Sequence, residues 1–117
     1  MQQPDLIYKI VSIGLWLRAQ EKNIVPPMPV DKADGYMHFS TARQLPETLS
    51  LHFAGKNSLV LLAVKVAVLI DDLKWETSRG GDLFPHLYAD LPTDAIVWHE
   101  QIDVAADGTC ALPERVR

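Results

Sequence analysis

The sequence contains only one cysteine, Cys110, so no internal disulfide bond can stabilise the fold. Its apolar runs are short: the longest, residues 59–64, falls well below the ~20 residues of a membrane-spanning helix. The N-terminus lacks the basic and apolar segments of a signal peptide. These absences predict a cytoplasmic protein without a disulfide scaffold or a membrane anchor.

Positive charge is also scarce, with 11 Lys and Arg against 15 Asp and Glu and a net charge of −4. Proteins that bind long nucleic acids draw most of their affinity from basic side chains that contact phosphates. We therefore expect no extended nucleic-acid interface. A few basic groups suffice, however, to hold one nucleotide or the end of an RNA.

The sequence patterns of several common sites are absent as well. The four histidines show no zinc-like spacing, and the chain has no Walker loop, Rossmann fingerprint or Gly-x-Ser-x-Gly elbow. Cys110 has no histidine beside it in the sequence. We therefore expect neither a metal site nor a cysteine nucleophile.

What the chain does contain is enough apolar residues for one core, at 48% of its 117 residues. A chain of this size typically buries roughly two thirds of the surface that it exposes when unfolded. We predict one domain over residues 1–117, with a core over about 6–98 and a C-terminal hairpin over 99–113.

Apolar spacing and capping residues predict two main helices. Ser12 caps the first, and the prolines at 26, 27 and 29 end it. Thr41 and Gln44 form a capping box for the second, which ends at Gly55. The residues expected on the buried faces are Ile13, Trp16, Leu17, Gln20 and Ile24 in the first helix, and Leu45, Leu49 and Phe53 in the second.

The other apolar segments predict strands at 6–11, 35–39, 59–66, 74–76 and 96–104. The continuous apolar run at 59–66 is typical of a central strand. Pro85 and Pro92 predict irregular or edge-like backbone over 84–91. Asp107-Gly108 predicts a hairpin turn with a return segment at 109–112. Two helices packed on these strands give the α+β class.

The first candidate site segment is Asp34-Gly35-Tyr36-Met37-His38-Phe39-Ser40-Thr41. On an extended strand Tyr36, His38 and Ser40 share one face. Thr41 lies at the start of a helix, whose free amides favour an anion. The segment suits a polar ligand with His38 as a catalytic residue; the alternative is that His38 bonds a backbone carbonyl and braces the sheet.

The second segment is Trp75-Glu76-Thr77-Ser78-Arg79-Gly80-Gly81. Two glycines let the backbone approach a ligand and offer amides to an anion, and the Arg79 guanidinium fits phosphate or carboxylate. We therefore count Trp75, Glu76 and Ser78 to Gly81 as candidate ligand-binding residues. An ordinary glycine turn with a solvated arginine is the alternative.

The third segment is Phe84-Pro85-His86-Leu87-Tyr88. On extended backbone His86 and Tyr88 point the same way, where they can orient a hydroxyl or phosphate, with His86 as a general acid or base. The alternative is that the pair caps backbone groups of a loop. His52 in the second helix is a further ligand-binding candidate because it can reach His38; the alternative is that it lies at the border of the buried helix face. His99 is expected to face solvent.

These three segments, with Ile7-Tyr8-Lys9-Ile10, resemble the family catalogued as domain of unknown function 952, over about residues 6–98. The resemblance implies a fold similar to the ADP-ribosyltransferases and the NAD-dependent RNA 2′-phosphotransferases. In that superfamily a compact split sheet, antiparallel or mixed, forms a cleft for NAD, and a histidine followed by small polar residues holds the nicotinamide ribose. His38 with Ser40 and Thr41 resembles that element.

Three hypotheses follow for function. The first is an enzyme that uses NAD or another nucleotide in a ribosyl- or phosphotransferase-like reaction, without protein ADP-ribosylation, because no Gln-x-Glu or Glu-x-Glu pair lies on a late strand. The second is a non-catalytic module for a nucleotide-like or other small anionic ligand. The third is a structural or partner-binding domain, in which His38, Arg79 and His86 lie far apart.

Overall fold

The computed structural model describes residues 4–116, apart from the side chain of Arg79, and this part of the chain forms eight strands and four helices. In chain order they are β1 (Leu6–Ser12), α1 (Ile13–Lys22), β2 (Ile24–Val25), α2 (Pro29–Asp34), β3 (Met37–His38), α3 (Leu45–His52), β4 (Leu59–Lys65), α4 (Val66–Leu69), β5 (Leu73–Thr77), β6 (Leu83–Leu87), β7 (Leu91–Pro92) and β8 (Ile96–Ile102). Single 3₁₀ turns lie at Arg79–Gly81 and Thr93–Ala95. The α+β class is confirmed.

The sheet with the longest strands has β4 at its centre, between β1 and β8, and both pairings are antiparallel. The first six residues of β4 are buried because apolar side chains pack on both faces of the sheet. Ile7 and Val11 of β1 join the cluster that contains α1 and residues of β3 and β6. Tyr8 and Ile10 join the cluster that contains α3 and part of the C-terminal segment. The predicted central strand is therefore confirmed.

A second antiparallel sheet has β6 at its centre, between β3 and β5. The two sheets meet where Tyr8 and Ser40 exchange backbone hydrogen bonds of 2.8 and 2.9 Å. A pair of short strands, β2 and β7, forms a third antiparallel sheet. The strands thus form separate antiparallel sheets. The strand β3, which carries His38, lies next to the junction of the first two.

Two sequence predictions about this second sheet are wrong. Residues 84–91 are expected to be irregular or edge-like because of Pro85 and Pro92, yet residues 84–87 lie in β6, which is regular and central, and only 88–90 are irregular. The Pro85 carbonyl accepts the Phe39 N–H at 3.1 Å, so the proline nitrogen faces the same neighbour, at the place where β3 ends. The absence of an N–H on Pro85 therefore interrupts no strand pairing. The strand expected at 35–39 is only Met37–His38, because Gly35 adopts a left-handed φ of 85° to end α2.

The helices differ from prediction in their buried faces and number. Ser12 Oγ accepts the Leu15 N–H at 3.2 Å, which confirms the first cap. The expected stripe of α1 is wrong apart from Trp16, because the sheet contacts the side of the helix that carries Leu15 and Ala19. The loop expected after the prolines contains α2, since Pro29 occupies its first position, where no backbone donor is needed.

The second predicted helix is α3, and its capping box forms one turn before the helix begins. Thr41 and Gln44 exchange hydrogen bonds of 3.0 and 3.3 Å, and α3 starts at Leu45 and ends at His52, ahead of Gly55. The turn near Gly108 also forms, through its N–H to the Ala105 carbonyl, but residues 103–116 contain no return strand.

No helix within residues 4–116 is long and apolar enough to cross a bilayer. The cytoplasmic location and the lack of an extended nucleic-acid interface stay predictions.

Candidate functional site

The antiparallel pairing of β3 with β6 places His38 directly opposite His86. Their ring centroids lie 5.6 Å apart. The ring of Tyr36 stacks on His86 at 4.1 Å and lies 4.7 Å from His38. The first and third candidate site segments therefore meet, which contradicts the expectation that His38 and His86 lie far apart.

A buried ion pair lies behind His38. Lys9 on β1 and Asp31 on α2 are both almost completely inaccessible, and Lys9 Nζ lies 2.8 Å from Asp31 Oδ2. The other oxygen, Oδ1, accepts the His38 backbone N–H at 2.9 Å and lies 2.7 Å from His38 Nδ1. Oδ2 also accepts the Met28 N–H at 2.7 Å. The carboxylate thus has partners on both oxygens, as a buried charge requires.

These contacts determine the charge of Asp31. Burial raises the pKa of the carboxyl, but the hydrogen bond from His38 and the charge and hydrogen bond of Lys9 outweigh it and lower the pKa to about 2. The pKa of Lys9 is lowered by its burial, against the opposing effect of Asp31. Asp31 is therefore ionised over the ordinary pH range and fixes the ring of His38 by its Nδ1 side.

Sequence reasoning did not identify Lys9 or Asp31 as site residues. A usable signal existed for Lys9, because a lysine in the middle of an otherwise apolar predicted strand needs a buried partner. Asp31 gave no such signal, since it lies in a proline-rich segment that predicted a loop. Its position depends on the unpredicted helix α2.

The second ring nitrogen of His38 also faces a carboxylate. Nε2 lies 2.9 Å from Asp34 Oδ2, and the Asp34 side chain is 45% exposed. His38 therefore has carboxylates at both nitrogens, whereas the alternative from sequence was a backbone carbonyl. When both nitrogens donate, the imidazole carries a positive charge.

His86 has a different environment. Its Nδ1 lies 2.8 Å from Glu76 Oε1, which also accepts the Tyr88 hydroxyl at 2.7 Å. The hydrogen bonds from Tyr88 and His86 lower the pKa of Glu76, and Glu76 raises the pKa of Tyr88 to about 12. Among the described side chains none bonds Nε2 of His86. With Nδ1–H donated to Glu76, Nε2 carries the lone pair of a base.

Both histidines line a cavity of about 560 Å³, within the usual size of small-molecule sites. Five predicted site residues contribute to its lining, namely His38, Ser40, His52, Ser78 and His86. Lys9, Asp31 and Asp34 line it as well, and Lys56 adds a further cation. The Ser40 hydroxyl is bonded to that of Thr48 at 2.9 Å. The cavity is therefore polar where β3 and β6 meet.

Other predicted site residues lie outside this cavity. Tyr36 and Tyr88 line a separate, more open depression of about 500 Å³. Thr41 gives its N–H to the capping box, and Trp75 packs against the core, where its indole N–H is the one buried side-chain donor without a partner among the described residues. Glu76 contacts the cavity only through His86.

The glycine turn follows Ser78 at the edge of the cavity. Gly80 and Gly81 have left-handed φ values of 67° and 80°, with open space where a Cβ would project. The Gly81 N–H donates to the Ser78 carbonyl at 3.0 Å. The predicted phosphate role of Arg79 concerns a side chain outside the described part of the structure. Within residues 4–116 no group of three or more His, Cys, Asp or Glu is arranged to hold a metal ion.

Comparison with known proteins supports the predicted family. The family model described as protein of unknown function (DUF952) matches residues 10–99. The crystal structure of protein CC0527 from Caulobacter crescentus is 44% identical, with 92% of this chain and 94% of that chain covered and a TM-score of 0.86. The solution NMR structure of CC0527 is 43% identical, covers 91% of both chains and has a TM-score of 0.79. No curated protein matches the chain.

Proposed function

The chain belongs to the family described as protein of unknown function (DUF952), and from the geometry of its cavity we propose that it is an enzyme that transfers a ribosyl or phosphoryl group from NAD or another nucleotide. The state of His86 carries the proposal. His86 lines the cavity, and Glu76 holds its Nδ1. Its Nε2 has no partner among the described side chains. Enzymes build a general base in this way, with a carboxylate that orients the ring.

His86 moves the proton in the proposed reaction. Its Nε2 removes the proton from an acceptor hydroxyl while the acceptor oxygen bonds to the transferred group and the bond to the leaving group breaks. The proton then passes to a leaving phosphate or, when nicotinamide leaves NAD as a neutral base, to solvent. Glu76, with the hydroxyl of Tyr88, keeps His86 in the tautomer that accepts the proton.

His38 holds the donor. Its ring lies opposite that of His86 and lines the same cavity, so a donor oxygen bound at His38 lies next to the base. Ser78 lines the cavity, and its hydroxyl can donate to an oxygen of a bound phosphate. The resemblance to NAD-dependent transferases supports NAD as the donor, and the junction of two small sheets beside His38 agrees with the split sheet of that superfamily.

One observation favours the alternative, a non-catalytic module that binds a nucleotide-like or other small anionic ligand. Both nitrogens of His38 contact carboxylates, so this ring is arranged to bind rather than to accept a proton. In that case His86 contributes a hydrogen bond to the ligand and no chemistry.

Calorimetric titration with NAD and with adenosine monophosphate, together with a chromatographic assay of NAD consumption, tests the proposal. We expect His86→Gln to reduce turnover by about a hundredfold or more and to change the Kd little. The exposed His99 lies at a tilt against Trp16, with 4.7 Å between the ring centroids, and does not line the cavity. His99→Gln should therefore change neither quantity. Binding without turnover favours the module, and a failure to bind either nucleotide contradicts the enzyme and leaves a module only for another small anion.

A further inference from the structure

The two carboxylates on His38 differ in how the rest of the chain uses them. Asp31 is buried, bonds two backbone amides and is neutralised by Lys9. Asp34 is 45% exposed, and among the described side chains its carboxylate contacts only His38 Nε2. Asp31 is therefore held in place by the fold, whereas Asp34 can leave His38 without exposing a buried group.

The charges show what Asp34 does in its present position. Lys9 and Asp31 cancel each other within the buried pair. A His38 ring that donates from both nitrogens is a cation, and Asp34 supplies the negative charge that balances it. Without Asp34 this part of the cavity has one excess positive charge, and Lys56 adds another at the lining.

We propose that Asp34 occupies the position of a ligand anion on His38, so that a phosphate or carboxylate binds at His38 Nε2 by displacing it. This inference rests on the proposed function, since it concerns the same cavity, and it replaces a neutral ribose hydroxyl at His38 with an anionic oxygen. Displacement is feasible because exposed ion pairs are weak. A phosphate offers several charged oxygens, whereas Asp34 uses one.

The same geometry makes Asp34 a determinant of ligand charge. A neutral ligand cannot replace the negative charge of Asp34, so it leaves that carboxylate on His38 and binds elsewhere in the cavity. An anion restores the charge balance when it takes the place of Asp34. Asp34 therefore lowers the affinity of the cavity for anions in general. Only anions that make further contacts in the cavity bind well.

Calorimetric titration with inorganic phosphate, adenosine monophosphate and adenosine tests this. Adenosine shares its base and ribose with the monophosphate and lacks only the anion. We expect Asp34→Asn to tighten binding of phosphate and the monophosphate about fivefold, the size of an exposed ion pair, and to leave adenosine unchanged. Asp34 is the last residue of α2, where a negative charge does not stabilise a helix, so the variant should fold.

Two controls isolate the role of His38. Asp94→Asn makes the same change in net charge at an exposed residue that lines neither depression, and it should leave all three affinities unchanged. Adding His38→Gln to Asp34→Asn should abolish the gain. Equal gains for adenosine, equal gains in Asp94→Asn, or no binding of phosphate by any variant would overturn the inference.

The outcome is separable from that of the proposed function. In one outcome, Asp34→Asn binds phosphate more tightly while the wild type consumes no NAD. That result supports the anion position at His38 and contradicts the proposed enzyme. Conversely, a domain that consumes NAD through His86 but binds anions no tighter in Asp34→Asn retains the enzyme and rejects the role of Asp34.

Discussion

The two histidines of the cavity are held by carboxylates with opposite exposure. In the Asp31–His38 pair the carboxylate is buried and the histidine side chain is 31% exposed. In the Glu76–His86 pair the histidine is buried and the carboxylate is 39% exposed. The two hydrogen bonds have nearly the same length, 2.7 and 2.8 Å, so distance does not distinguish them.

The difference lies in what each carboxylate needs. A buried carboxylate must be compensated, and Lys9 supplies the charge from a third element, β1. An exposed carboxylate is solvated and needs no buried cation, so Glu76 orients His86 without a counterpart of Lys9. We infer that the first pair stabilises the fold as well as the site, whereas the second pair acts on the site. The following three predictions test that distinction.

The largest effect is expected for Lys9→Met, which leaves Asp31 buried without its cation. The free energy of unfolding, measured by urea denaturation, should fall by about 3 kcal/mol, as for other broken buried pairs. The matched control is Arg115→Met, which breaks an exposed pair with Glu100 of 3.3 Å and should cost at most about 1 kcal/mol. Equal losses in the two variants would remove the contrast between buried and exposed pairs.

An intermediate effect is expected from acid. The pKa of Asp31 in the folded domain, about 2, lies below its ordinary value of 3.8. Its ionised form therefore stabilises the fold above that ordinary value, and this contribution, about 2 kcal/mol, is lost as the pH falls through the folded pKa. Urea denaturation between pH ~5 and ~2 should show a steeper loss in the wild type than in Lys9→Met/Asp31→Asn. Parallel losses would mean that other carboxyls dominate.

The smallest effect on stability is expected for Glu76→Gln, since Glu76 is exposed. The urea midpoint should stay close to that of the wild type, but ¹⁵N NMR should show that His86 no longer favours the Nδ1–H tautomer. The pKa of Tyr88, which Glu76 raises to about 12, should fall toward 10 in a spectrophotometric titration. Glu21→Gln on α1 is the control and should change neither signal. An unchanged His86 spectrum would show that Glu76 does not orient the ring.

The cavity shows which parts of a site local sequence patterns reveal. The three polar segments contain both histidines, Glu76 and Tyr88, because imidazole, carboxyl and phenol groups near glycine turns are recognisable by residue type. Lys9 and Asp31 were missed because their role depends on burial, and burial of Asp31 depends on a six-residue helix that begins at a proline. Pro85 was misread for the same reason, since only the end of β3 shows that its missing donor is not needed.

By itself the sequence determined the central strand, the Ser12 cap, the capping box and the residue types of the site. Each of these depends on apolar spacing or on hydrogen bonds between residues a few positions apart, so no distant partner is needed to predict them. Only the tertiary structure decided that His38 lies opposite His86 and that Lys9 neutralises Asp31. Strand register and burial arise from contacts between distant segments of the chain, and the charge state and accessibility of these side chains follow from that packing.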